Sequence, residues 1–170
     1  MKILIADDHD LVRDTLRAFL EREGGFEITV AEDFDEARGR IGDEGPFDLV
    51  LLDYSMPGMT GLETLSTARE LNAGRPVALL SGTADRQVAQ AALDAGAAGF
   101  LPKSIPARSL VNAVRFMAMG EQYAPLDFMT AEPEAPAPAA AAGISERERE
   151  VLGGLCRGLS NKEIARELDL

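Results

Sequence analysis

The sequence predicts an α/β fold: a parallel sheet covered by helices on both faces, followed by a linker and a small all-α unit. Three observations carry this. Short apolar runs alternate with segments of helical periodicity five times across residues 1–120. The runs lack the in–out alternation of half-exposed strands, which marks strands buried on both sides. A Pro- and Ala-rich stretch, "EPEAPAPAAAAG" (132–143), then precedes a final region that is helical again.

Each element has its own signal. "KILIA" (2–6) reads as a buried strand. Leu11, Val12, Thr15, Leu16, Phe19 and Leu20 recur at helical spacing, with Asp10 as the cap and Gly24-Gly25 as the stop. "EITVA" (27–31) is the second strand. The helix over 33–42 puts Phe34, Ala37 and Ile41 on one face, and Asp33 with Glu36 resembles a capping box. "DLVLLD" is the third strand, after which Met56-Pro57-Gly58 breaks the chain. Thr60 and Glu63 suggest a second box, opening a helix with Leu62, Leu65 and Ala68 inward. "PVALLS" (76–81) is the fourth strand and an Ala-rich helix near 85–95 ends at Gly96. "AGFLP" holds the fifth strand. Pro106 suits the first turn of a last helix whose Leu110, Ala113, Val114 and Met117 share a face before Gly120. Composition then assigns residues 121–143 to an extended, flexible linker. From Ile144, two further boxes, Ser145 with Glu148 and Ser160 with Glu163, start two short helices joined at Gly158. These fit the first half of a helix-turn-helix over 144–170.

Composition narrows the function classes. Net charge is −12. Residues 1–120 hold 12 basic and 19 acidic side chains, 121–143 hold four acids and no base, and 144–170 hold five bases and six acids. None of the three regions has the positive charge that phosphate backbones require. No apolar run approaches a membrane span, and "MKILIADD" is too short and too soon acidic for a signal peptide. One cysteine, Cys156, reads as a small apolar filler on a helix face and excludes an internal disulfide. The expected location is the cytoplasm.

In an open parallel sheet, ligands bind beyond the carboxyl ends of the strands. The polar residues just past those ends are Asp7 and Asp8, Asp53, Ser81 and Lys103. Three carboxylates at close quarters call for a shared proton or a cation. An oxygen-rich donor set favours a hard ion, Mg²⁺ or Mn²⁺. With Lys103 as a movable positive charge and Ser81 as a hydroxyl donor, the set describes a phosphoryl-transfer site with Asp53 as nucleophile. His9 reads as a loop histidine, because transfer to a carboxylate needs no base.

"LIADDH", "LVLLDYSMPGMTGLE", "ALLSG" and "AGAAGFLPKS" followed by "VRFMAMGEQY" resemble the CheY-like receiver domain of two-component response regulators, over about 120 residues. "ISEREREVLGGLCRGLSNKEIARELDL" resembles the start of a LuxR/NarL-type DNA-binding domain. The resemblance implies a flavodoxin-like (βα)5 receiver with parallel strand order 2-1-3-4-5. It implies that Asp53 accepts a phosphoryl group from a sensor histidine kinase. Asp8, Asp53 and the backbone carbonyl of Ser55 would ligate Mg²⁺, with Asp7 direct or through water. Ser81 and Lys103 would hold the phosphoryl group, and Phe100 matches the aromatic switch position. The phosphorylated form would dimerise. Ser81 stands where threonine is commoner, and Ser104 after Lys103 is not the frequent proline. The chain reaches Leu170 before any recognition helix, so DNA contact is expected only from residues beyond it.

Two other classes compete with a transcription regulator that is not itself an enzyme. One is a receiver acting by protein contact or as a phosphate sink. The other is a phosphatase of the haloacid dehalogenase type, which wants a second Asp two residues after the nucleophile; that position here is Ser55.

Overall fold

The computed structural model describes residues 1–82 and 86–125. The chain divides into two units, Met1–Ala131 and Glu132–Leu170, and every described residue lies in the first. The helix-turn-helix expected over 144–170 and most of the linker lie outside the described residues.

Five strands and five helices alternate: β1 (Lys2–Ala6), α1 (Asp10–Glu23), β2 (Glu27–Ala31), α2 (Phe34–Glu44), β3 (Leu49–Asp53), α3 (Leu62–Leu71), β4 (Val77–Ser81), α4 (Arg86–Asp94), β5 (Gly99–Pro102) and α5 (Ala107–Ala118). The sheet runs β2-β1-β3-β4-β5 with every neighbouring pair parallel. Successive strand residues point to opposite faces, and both faces are apolar. Leu4, Ala6, Val50, Leu52, Val77 and Leu79 pack with α2, α3 and α4. Ile3, Ile5, Leu49, Leu51, Ala78 and Leu80 pack with α1 and α5. Double-sided burial explains why the strands read as unbroken apolar runs.

Three local expectations are corrected. α1 takes His9 as its N-cap, with no side-chain cap hydrogen bond, and Asp10 sits inside the first turn. There it accepts from Arg13 Nη2 at 2.6 Å instead of capping a backbone N–H. α3 is capped by Gly61, not by a Thr60–Glu63 box; Thr60 is turned toward Thr64, whose Oγ1 accepts the Thr60 N–H at 2.9 Å. Leu11, counted in the apolar stripe of α1, is 81% exposed, while Leu20 is buried. At α2, Asp33 does accept the Glu36 N–H, and Glu36 returns a bond to Glu32 N rather than to Asp33 itself.

Candidate functional site

Strand register brings the expected residues to one edge. Ala6 pairs with Leu52, Asp53 with Leu80, and Ser81 with Pro102. Four strands therefore finish at nearly the same level, and the residues at or just after those ends, Asp7, Asp53, Ser81 and Lys103, become neighbours. Backbone bonds across the ends hold the level: Tyr54 N–H to Leu80 O and Lys103 N–H to Ser81 O, both 2.8 Å. The site sits beyond β1 and β3, where the strand order reverses direction.

Asp7 and Asp53 are both fully buried. The sequence placed Asp53 at the end of a strand, and there the structure leaves it with no solvent exposure. Two such charges are costly unless matched, and Lys103 matches both. Its Nζ lies 2.9 Å from Asp53 Oδ2, donating a hydrogen bond, and 2.8 Å from Asp7 Oδ2 as an ion pair. Burial pushes the Lys103 ammonium down, but Asp7 and Asp53 outweigh it and hold the pKa above the usual lysine value. Asp53 Oδ1 accepts the Ser55 N–H at 3.1 Å, which fixes the carboxylate and turns the Ser55 peptide toward the site. Ser81 is buried at the end of β4, and Phe100 is buried in the apolar cluster that also holds Leu79, Ala89, Ala92 and Ala97.

Sequence reasoning left His9 out of the site, and the structure brings it in. Its Nδ1 lies 2.9 Å from Asp8 Oδ1, 3.1 Å from Asp7 Oδ1 and 3.8 Å from Asp53 Oδ2, although the side chain is 62% exposed. Arg13 was also missed. From inside α1 its Nη1 donates to the Asp7 carbonyl at 2.8 Å, tying the first turn of the helix to the end of β1. The Asp10–Arg13 spacing was a visible helix pair, but nothing in it foretold the second bond.

One atom of each of Asp7, Asp8, His9 and Asp53 lies within 4.8 Å of the others, a spacing that a metal ion could bridge. Asp7 Oδ2 is buried, and Lys103 Nζ meets it as an ion pair at 2.8 Å. Three carboxylates face one lysine, which leaves a deficit of positive charge. The donor set therefore fits a hard divalent cation. Beside it opens a cleft of 330 Å³ lined, among the described residues, by His9, Val12, Asp53, Ser55, Gly82 and Lys103.

Residues 3–115 match the response regulator receiver domain family, and residues 142–170 match the luxR family of bacterial regulatory proteins. The chain belongs to the response regulator family, as a two-component transcription regulator with a receiver and a LuxR-type domain. It is 33% identical to a glycerol metabolism activator of Pseudomonas putida, over 99% of this chain and 81% of that protein. To the nitrate/nitrite response regulator protein NarP of Escherichia coli K12 it is 34% identical, over 99% of this chain and 80% of that one. The signal receiver domain of the putative response regulator NarL from Mycobacterium tuberculosis superposes with a TM-score of 0.65 at 32% identity, covering 71% of this chain and 97% of that one. Among the described residues no helix is long and apolar enough to cross a membrane.

Proposed function

We propose that Asp53 is the phosphoacceptor of this regulator and that its modification controls dimerisation and DNA binding by the LuxR-type domain. The observation that carries the reading is the single ammonium of Lys103 shared by two buried carboxylates, Asp7 and Asp53. Asp53 lines the cleft, with its Oδ2 bonded to the Lys103 ammonium at 2.9 Å. It attacks the phosphorus of a phosphohistidine on the sensor kinase; the P–O bond forms, the P–N bond breaks, and the departing imidazole takes up a proton from solvent. No general base is assigned, since the carboxylate beside the Lys103 ammonium attacks directly. Asp8, Asp53 and the Ser55 carbonyl would hold Mg²⁺ (or Mn²⁺), with Asp7 direct or through water. When bound, that ion offsets charge on the transferring oxygens.

Lys103 follows the charge, exchanging part of its bond to Asp53 for one to the phosphoryl oxygen, and Ser81 supplies a hydroxyl donor from the end of β4. Phe100 is the ring whose packing against α4 reports the change, a shift between two populations rather than a new fold. No further catalytic turnover is assigned to the chain, and the cytoplasm is its proposed location. The alternative, a receiver acting as a phosphate sink, shares the chemistry and lacks the DNA output.

Intact-mass measurement after acetyl phosphate and Mg²⁺ tests this reading. One phosphoryl adduct is expected on the native chain and none on Asp53→Asn; equal labelling of the two would overturn the assignment. Gel filtration of each product separates dimer from monomer.

A further inference from the structure

Among the side chains clustered with Asp53, His9 is the one that offers nitrogen. Its backbone is extended at the N-cap of α1, with φ −92° and ψ 104°, and its side chain makes no cap hydrogen bond. The His9 N–H donates to Asp7 Oδ1 at 2.8 Å, which ties the residue to the turn just past β1. Nδ1 then stands 2.9 Å from Asp8 Oδ1, 3.1 Å from Asp7 Oδ1 and 3.8 Å from Asp53 Oδ2. Lys103 Nζ approaches the same nitrogen at 3.5 Å. A ring nitrogen carries at most one proton, so it cannot give three carboxylates a full hydrogen bond each. A cation can answer all three at once. Ligands about 2.1 Å from an octahedral ion stand about 3.0 Å apart when adjacent and about 4.2 Å apart when opposite. The distances from Nδ1 to the three acids run close to that range.

We propose that His9 sets the metal selectivity of this site: its Nδ1 is a ligand for divalent transition ions that accept imidazole, such as Co²⁺, and adds little for Mg²⁺. This rests on the cation site of the reading above and not on phosphoryl transfer to Asp53. The carboxylate oxygens alone suit a hard ion, which keeps its waters and gains little from nitrogen. Imidazole suits the later first-row ions, whose affinity for a nitrogen-containing site rises along the series from Mn²⁺ to Cu²⁺. His9 therefore widens an oxygen site without removing any of its oxygens. Its ring is largely exposed at the mouth of the cleft, so it can close on an ion, or be removed, without opening the buried core.

Calorimetry with Mg²⁺ and with Co²⁺ on the full, untagged chain, native and His9→Ala, tests the proposal. The substitution should weaken Co²⁺ binding about tenfold and Mg²⁺ binding less than about twofold. X-ray absorption on the Co²⁺-loaded native chain gives a second readout. His9 is the only histidine in the 170 residues, so scattering from one imidazole per bound ion is expected and can come from no other residue. Equal loss of the two ions in the variant, or Co²⁺ held without imidazole scattering, would overturn the role of His9. Failure of the native chain to bind either ion would overturn the cation site itself, and the role of His9 with it. No phosphoryl donor enters any arm, so labelling of Asp53 is judged separately by its own mass measurement.

Discussion

Lys103 carries more of this site than any other single side chain. Its ammonium stands between two carboxylates that are each fully buried, and removing one member of such a group leaves uncompensated charge. Lys103→Ala should therefore lower the stability of the metal-free protein by about 2–4 kcal/mol, as read from urea unfolding. Millimolar Mg²⁺ should recover more of that loss in the variant than it adds to the native chain, because the cation takes over the role of the lysine. Equal Mg²⁺ effects on the two proteins would mean that lysine and metal do not compete for the same carboxylates. The pH dependence follows from the raised Lys103 pKa. Its contribution is complete below the unfolded lysine value of about 10.4 and is lost as pH rises through the higher folded value. Between pH 7 and 9 the difference in stability between Lys103→Ala and the native chain should stay flat; a slope there would point to another group. Arg13 acts at one remove, by holding the Asp7 carbonyl. Arg13→Ala should weaken Mg²⁺ binding several-fold in calorimetry, about 1 kcal/mol, with labelling still possible.

At the scale of elements, strand ends were legible and side-chain reach was not. The apolar runs gave the strands to within a residue, and that alone put Asp7, Asp53, Ser81 and Lys103 on one edge; the order of the strands came from family resemblance. What escaped were contacts between segments distant in sequence. Asn72, at the end of α3, reads as a polar helix terminus. It is fully buried, and its side chain brackets Phe47: Oδ1 accepts the Phe47 N–H at 2.7 Å and Nδ2 donates to Phe47 O at 3.0 Å. Asn72→Ala would strip two buried backbone groups of their partners and should cost about 2–4 kcal/mol in chemical denaturation. Gly58 in the loop after β3 has a φ of +85°, and a Cβ there would come within 2.9 Å of Phe34 Cβ. Gly58→Ala should destabilise by about 1–2 kcal/mol through both effects, and a smaller value would show that the loop gives way. His9 escaped for the same reason as Asn72: its ring joins the acids through a turn geometry that periodicity does not record.

For the whole molecule, the receiver sheet carries a buried aromatic near the site and a bonded segment after α5. Phe100 shares its buried cluster with Ala89 and Ala92 of α4, Gln122 donates to Leu93 and Ala97, and Tyr123 is bonded to the backbone beside Gly99. Composition could not show these bonds, because "GEQYAP" looks like polar linker and they are made by backbone and one amide. The net charge of −12 gives these 170 residues no overall long-range attraction to phosphate backbones. The account as a whole depends on a phosphoryl group residing on the carboxylate at position 53. Borohydride reduction of the freshly labelled chain, followed by peptide sequencing, locates that group, since reduction of an acyl phosphate leaves homoserine in place of aspartate. Homoserine at position 53 and nowhere else is the predicted result; homoserine at 7 or 8, or intact aspartate at 53 in labelled protein, would contradict it.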